Sequence, residues 1–145
     1  MNEKIVKIIP ANETDSIMEK PEVQMVYSEK VEKLGHQPEN YGPLETEDCH
    51  HSFTGPCGDT MEFWIKVKNN SIQDISFVTD GCVSSKAAGS MTTLIAKGKS
   101  FSEIFKLEQK DVLTALDGLP KDHEHCARLA VKTLQKTCNA YLEKK

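Results

Sequence analysis

The stretch "MEFWIKVKNNSIQDISFVT", residues 61–79, decides the fold. Met61, Phe63, Ile65 and Val67 alternate with polar or solvent-tolerant neighbours, the two-residue period of a strand with one buried face. Asn69 and Asn70 make a turn. "SIQDISFVT" then returns as a second antiparallel strand, with Ile72, Ile75, Phe77 or their neighbours inward. A third strand is expected near "HSFTG", residues 51–55.

Downstream of Thr79 the period changes to helical. Gly81 and Cys82 lead into "VSSKAAGSMTTLIAKGK", where Ser84 or Ser85 is the expected cap. Ala87, Ala88, Met91, Leu94 and Ile95 form its apolar stripe, and the helix ends before Gly98. Ser100 and Glu103 have the spacing of a capping box for a short helix through Leu107. "KDVLTALDGLP" predicts another, closed by Gly118 and Pro120. Asp122 is the expected cap of a long terminal helix whose inward positions include Cys126, Leu129, Ala130, Leu134, Cys138 and Tyr141. Upstream, Val23, Val26, Tyr27 and Val31 suit a short amphipathic helix ending at Gly35. Residues 36–51, "HQPENYGPLETEDCHH", read as loop, and residues 1–20 as a flexible leader ahead of Pro21. The fold class is therefore α+β: a small antiparallel three-stranded sheet packed against several helices, the last a long C-terminal one.

The 145 residues suffice for one domain, residues 21–145 after the leader, whose core needs neither disulfide nor metal as a staple. A net charge of −4 presents no field attractive to nucleic acid or anionic lipid, so neither is an expected partner. The apolar run "IVKII", residues 5–9, is too short for a signal peptide or a membrane span, and Glu3, Glu13 and Asp15 argue against a mitochondrial presequence. A cytoplasmic setting is expected. There the five cysteines, at 49, 57, 82, 126 and 138, stay reduced and point to metal or catalysis rather than to bridges.

Three of those cysteines fall at element ends: Cys57 at the turn entering the hairpin, Cys82 where a helix begins after it, and Cys126 in the first turn of the last helix. Helix N-termini favour thiolates, so Cys82 and Cys126 are expected to be acidified. Asp59 lies two residues from Cys57, and His125 adjoins Cys126. Iron–sulfur clusters are usually held by four thiolates. Three thiolates and the hard, protonatable oxygen of Asp59 would make a leaky site, poorly suited to an electron carrier and well suited to a protein that gives its cluster away.

The ordered set "YSEKV" (27–31), "CGD" (57–59) before a strand ending in "IKV", the Ile72–Asp74–Phe77–Thr79–Gly81–Cys82 pattern, "KGKS" (97–100), "LP" (119–120) and "HC" (125–126) resembles the IscU/NifU-type iron–sulfur cluster assembly scaffold over nearly everything after about residue 25. That resemblance implies a carrier without turnover of its own. It would accept sulfur from a cysteine desulfurase, combine it with iron into a [2Fe-2S] cluster, and pass the cluster to recipient apo iron–sulfur proteins. It implies Cys57, Cys82 and Cys126 as ligands, Asp59 and His125 as participating or alternating fourth ligands, and Cys126 as the persulfide acceptor. A homodimer is left open. Chaperone-dependent members have "LPPVK" before the His-Cys pair where this chain has "LPKDHEHC", so chaperone recognition is not carried over. The interval between Cys82 and Cys126 lacks the SufU-branch insertion, and His125 is present where that branch differs, which favours an Isc-like member.

The same donors would also suit tetrahedral Zn²⁺ in a regulator, or a sulfurtransferase acceptor built on Cys126 and His125. Several residues carry plainer readings. His123 is taken as a solvated first-turn histidine, Cys138 as core packing, "CHH" at 49–51 as a loop feature without a site, and Lys97 and Lys99 as caps solvating a helix end.

Overall fold

The computed structural model describes residues 26–144, so the readings of the leader, of Pro21 and of Val23 lie outside the described residues. Helix α1 (Glu29–His36) precedes strands β1 (Cys49–Thr54), β2 (Thr60–Lys68) and β3 (Ser71–Thr79). Helices α2 (Val83–Ala96), α3 (Phe101–Phe105), α4 (Gln109–Ala115) and α5 (His125–Lys144) follow. The sheet order is β1-β2-β3, antiparallel throughout.

The central hairpin forms as its alternation predicts. Asn69 and Asn70 both take left-handed backbone, with φ of 55° and 60°, which matches the twist of the strands they join. The inward residues of β3 do not keep strict alternation. A register shift beside Val67 leaves Gln73 as the extra residue, so Ile72 joins Ile75 and Phe77 on the buried face. Met61, Phe63 and Ile65 complete that face from β2, each 0% exposed, and burial of side chains of this size stabilises by roughly 1.5–3 kcal/mol apiece.

Strand β1 starts at Cys49, two residues before the expected third strand, and draws "CHH" out of the predicted loop. Cys49 pairs opposite Ile65 and is buried, while His50 and His51 are exposed. Polar ties fix this edge: Asp48 accepts from the Val67 backbone at 2.7 Å, and Lys144 donates to the Asp48 carbonyl at 2.6 Å.

Helix α5 packs across β1 and β2, and α2 covers β3 while touching α1 and α5. Ser28 caps α1, which buries Val31 and Leu34 and runs one residue beyond Gly35. Val26 is exposed rather than part of an apolar stripe. In α2 the cap is Cys82, not Ser84 or Ser85, because the chain turns immediately after Thr79 and places both serines inside the first helical turn, fully buried. Leu94 also departs from its expected place and is exposed. The inward face is made instead of Ala87, Ala88, Thr92, Thr93 and Ala96. Thr92 and Thr93 bond carbonyls of their own helix, at 2.7 Å and 2.6 Å, which lets them be buried without loss of partners.

The capping box of Ser100 and Glu103 is present at α3. After α4 the chain turns through Asp117 and Gly118, both with positive φ. Asp122 does not cap α5. Residues Lys121–His123 form a separate 3₁₀ turn, and α5 begins only at His125. The inward positions of α5 include Cys126, Leu129, Ala130, Leu134 and Cys138, and Tyr141 is half-buried edge-on to Phe101. Among the described residues no helix is long and apolar enough to cross a membrane.

Candidate functional site

Three chain reversals meet at one end of the molecule: the β1–β2 turn, the exit from β3 into α2, and the 3₁₀ turn leading into α5. The first is closed by a Gly58 amide donating to the Gly55 carbonyl at 3.0 Å, with Pro56 and Cys57 at its corners. Gly58 has φ +96°, a conformation that costs an ordinary side chain about 1–2 kcal/mol. The first two reversals are tied together. Thr79 donates its hydroxyl to the Thr60 carbonyl at 2.7 Å, the Thr60 amide donates to Asp80 at 2.8 Å, and the Gly81 amide donates to the Thr79 hydroxyl at 3.1 Å.

On this frame the donor side chains fall into two trios. Cys82, His123 and Cys126 each offer an atom within 4.8 Å of the other two, and so do Cys57, Asp59 and His125. The trios touch through the neighbours His125 and Cys126, Nε2 to Sγ 3.9 Å. All five residues singled out from the sequence are brought to this end of the fold. Cys57, Cys82 and His125 are exposed, Asp59 is half-buried and Cys126 is buried, so the site is closed on the α5 side and open to solvent on the other.

Two further residues line it. His123 is half-buried, its Nδ1 3.8 Å from Cys82 Sγ, which overturns its reading as a solvated histidine. The 3₁₀ turn is the reason. In a regular helix residues two apart diverge, whereas here the rings of His123 and His125 stack with centroids 6.4 Å apart. Ser85, expected as a helix cap, is buried with its hydroxyl 3.3 Å from Asp59 Oδ2 and 3.4 Å from Cys126 Sγ. One proton serves two acceptors, so the hydroxyl links the trios. The "HEHC" spacing was the available signal for His123; Ser85 had none beyond its nearness to Cys82.

Electrostatics correct another expectation. Burial pushes the Cys126 thiol up to about 11, with the neighbouring Cys82, Asp59 and Cys57 acting the same way and only the Ser85 hydrogen bond opposing them. Desolvation outweighs the pull of the helix N-terminus, so Cys126 rests as a thiol rather than an acidified thiolate. A cation entering the site would displace that proton. Cys138 is pushed up to about 12 by its burial, in keeping with a packing role.

Comparison with known proteins bears on the whole assembly. The NifU-like N-terminal domain profile matches residues 26–145. The iron–sulfur cluster assembly scaffold protein IscU 1 of Archaeoglobus fulgidus is 42% identical over 120 residues, covering 82% of this chain and 78% of its own. The IscU scaffold protein of Aquifex aeolicus is 40% identical over 121 residues, covering 81% of this chain and 77% of its own. In fold, the chain is similar to a crystal structure of the N-terminal part of a nitrogen-fixing NifU-like protein from Brucella abortus. The TM-score is 0.64 at 15% identity, over 81% of this chain and 94% of that one. With a profile match spanning all of the described fold and relatives of this identity, the chain belongs to the NifU-like N-terminal domain family.

Proposed function

We propose that this protein is a scaffold on which an iron–sulfur cluster is assembled and from which it is handed on. The observation that carries the reading is the gathering of three cysteines, two histidines and an aspartate from three separate chain reversals. It occurs in a chain whose relatives are named iron–sulfur cluster assembly scaffold proteins.

The cargo in this reading is a [2Fe-2S] cluster held by Cys57, Cys82 and Cys126, with Asp59 or His125 as an exchangeable fourth ligand. Sulfur comes from a cysteine desulfurase. Cys126 loses its proton, for which the imidazole of His125 is the nearby acceptor, and its thiolate attacks the outer sulfur of the donor's persulfide. The donor's S–S bond breaks, the donor leaves as a thiolate, and Cys126 carries the persulfide. Burial of Cys126 keeps that persulfide from solvent, while the exposure of Cys57 and Cys82 leaves two ligands reachable by the thiolates of a recipient apoprotein. Two electrons from an external electron donor then cleave the persulfide, returning Cys126 as a thiolate and releasing the outer sulfur as sulfide to the iron, and exchange of ligands completes the cycle. A cytoplasmic setting belongs to the same reading, since it keeps the thiols reduced.

Anaerobic reconstitution with iron and sulfide is the test. Visible charge-transfer bands followed by transfer to an apoferredoxin support the scaffold. A colourless protein retaining one zinc ion, or turnover of a small thiol acceptor without iron, would overturn it.

A further inference from the structure

We propose that His123 is a metal ligand, and that Cys82, His123 and Cys126 form a pocket for a single divalent transition-metal ion, separate from the Cys57, Asp59 and His125 trio beside it. The identity of the physiological ion, ferrous iron awaiting sulfur, rests on the scaffold reading; the pocket itself does not.

The trio has the donor number and closeness of a tetrahedral site lacking one corner. With metal–sulfur and metal–nitrogen bonds of about 2.3 and 2.05 Å, a tetrahedral ion would hold a sulfur and a nitrogen about 3.6 Å apart. Cys82 Sγ and His123 Nδ1 stand 3.8 Å apart, and Cys126 Sγ is within 4.8 Å of Cys82 Sγ and of a ring nitrogen of His123. Two thiolates and an imidazole are borderline-soft donors that suit Fe²⁺, Co²⁺ and Zn²⁺ and disfavour Mg²⁺ and Ca²⁺. The fourth position is left for an incoming sulfur.

The pocket is also supported where a chance cluster would not be. His123 sits on a 3₁₀ turn closed by its own amide donating to the Pro120 carbonyl at 2.7 Å, and its ring is stacked on His125. Cys82 is fixed as the N-cap of α2, and Cys126 receives the Ser85 hydroxyl. The second trio offers one sulfur, one oxygen and one nitrogen, a harder and weaker set for the same ions. The Cys82 pocket is therefore the one that fills first.

Anaerobic titration of the apoprotein, full chain, with Co²⁺ tests this. Thiolate-to-cobalt charge transfer counts the sulfurs, and an exchangeable, paramagnetically shifted imidazole N–H reports a histidine ligand. At one equivalent the wild type shows two thiolates and the shifted N–H. His123→Ala loses that resonance and binds at least tenfold more weakly, at or beyond the roughly 10–100-fold cost of losing a ligand's supporting hydrogen bond. Cys57→Ser keeps the first-equivalent charge-transfer intensity. The proposal is overturned if His123→Ala retains both the resonance and the affinity, or if Cys57→Ser loses a third of the intensity, which would mark a three-thiolate centre. Circular dichroism of each variant identifies any loss due to unfolding, and in that event His123→Gln carries the same comparison. A chain that binds Co²⁺ through His123 yet builds no cluster from iron and sulfide would refute the scaffold and leave the pocket standing.

Discussion

Gly81→Ala measures how tightly the candidate site is built. A methyl carbon added at Gly81 would lie 2.4 Å from Ser85 Oγ, 2.6 Å from Ser85 Cβ and 3.0 Å from Asp59 Oδ2. Ordinary contacts between carbon atoms are about 3.5–4.0 Å. Ser85 is fully buried in the first turn of α2 and has no room to retreat, so about 1 Å of displacement must be taken up by the backbone. Overpacking of this kind costs about 1–3 kcal/mol, which for a domain of this size lowers Tm by roughly 4–15 °C. Urea unfolding of the apoprotein, followed by far-ultraviolet circular dichroism, reads the change as a lower midpoint at unchanged slope. A double-mutant cycle assigns the cause. Ser85→Gly removes the atoms being struck, so Gly81→Ala combined with Ser85→Gly should be more stable than the sum of the single losses by about 1 kcal/mol or more. Stability within about 0.5 kcal/mol of wild type for Gly81→Ala, or strict additivity in the cycle, would refute the close packing described at this corner.

Asp59→Ala is expected to prolong the lifetime of a reconstituted cluster, because the exchangeable oxygen ligand is lost; decay of the visible absorbance at the wild-type rate or faster would remove Asp59 as the exit gate. Cys126→Ser should abolish sulfur acceptance from a cysteine desulfurase while Cys138→Ser retains it, read by mass as a gain of one sulfur atom, and equal loss from both would mean the acceptor is misplaced. Stability should fall at alkaline pH. Burial raises Cys126 to about 11 and Cys138 to about 12 from an ordinary 9.0, so well below pH 9 both thiols are protonated whether folded or unfolded. Between about pH 9 and 12 the unfolded chain releases protons that the native state retains, and the unfolding free energy declines. Cys138→Ala should decline less steeply over that window than wild type, and superimposable slopes would contradict the assignment.

Local patterns carried much of the fold. The alternation from Met61 to Val67 and the asparagine pair at 69 and 70 define the hairpin, because strand period and turn conformation are set by near neighbours. The capping box at Ser100 and the stripe of α5 were legible for the same reason. So was the placement of Cys57, Cys82 and Cys126 at element ends. Tertiary packing decided the rest. Leu94 faces solvent and buried threonines face the core, because their hydroxyls find partners within α2. Cys126 is less acidic than its helix position suggests, because burial is a property of everything packed around it. Cys49 belongs to a strand only because Ile65 lies opposite it. His123 reaches Cys82, 41 residues away in sequence, because a 3₁₀ turn redirects the chain just before α5 begins. A sequence pattern specifies which face of its own element a side chain occupies; the distance between atoms on different elements exists only once those elements have packed.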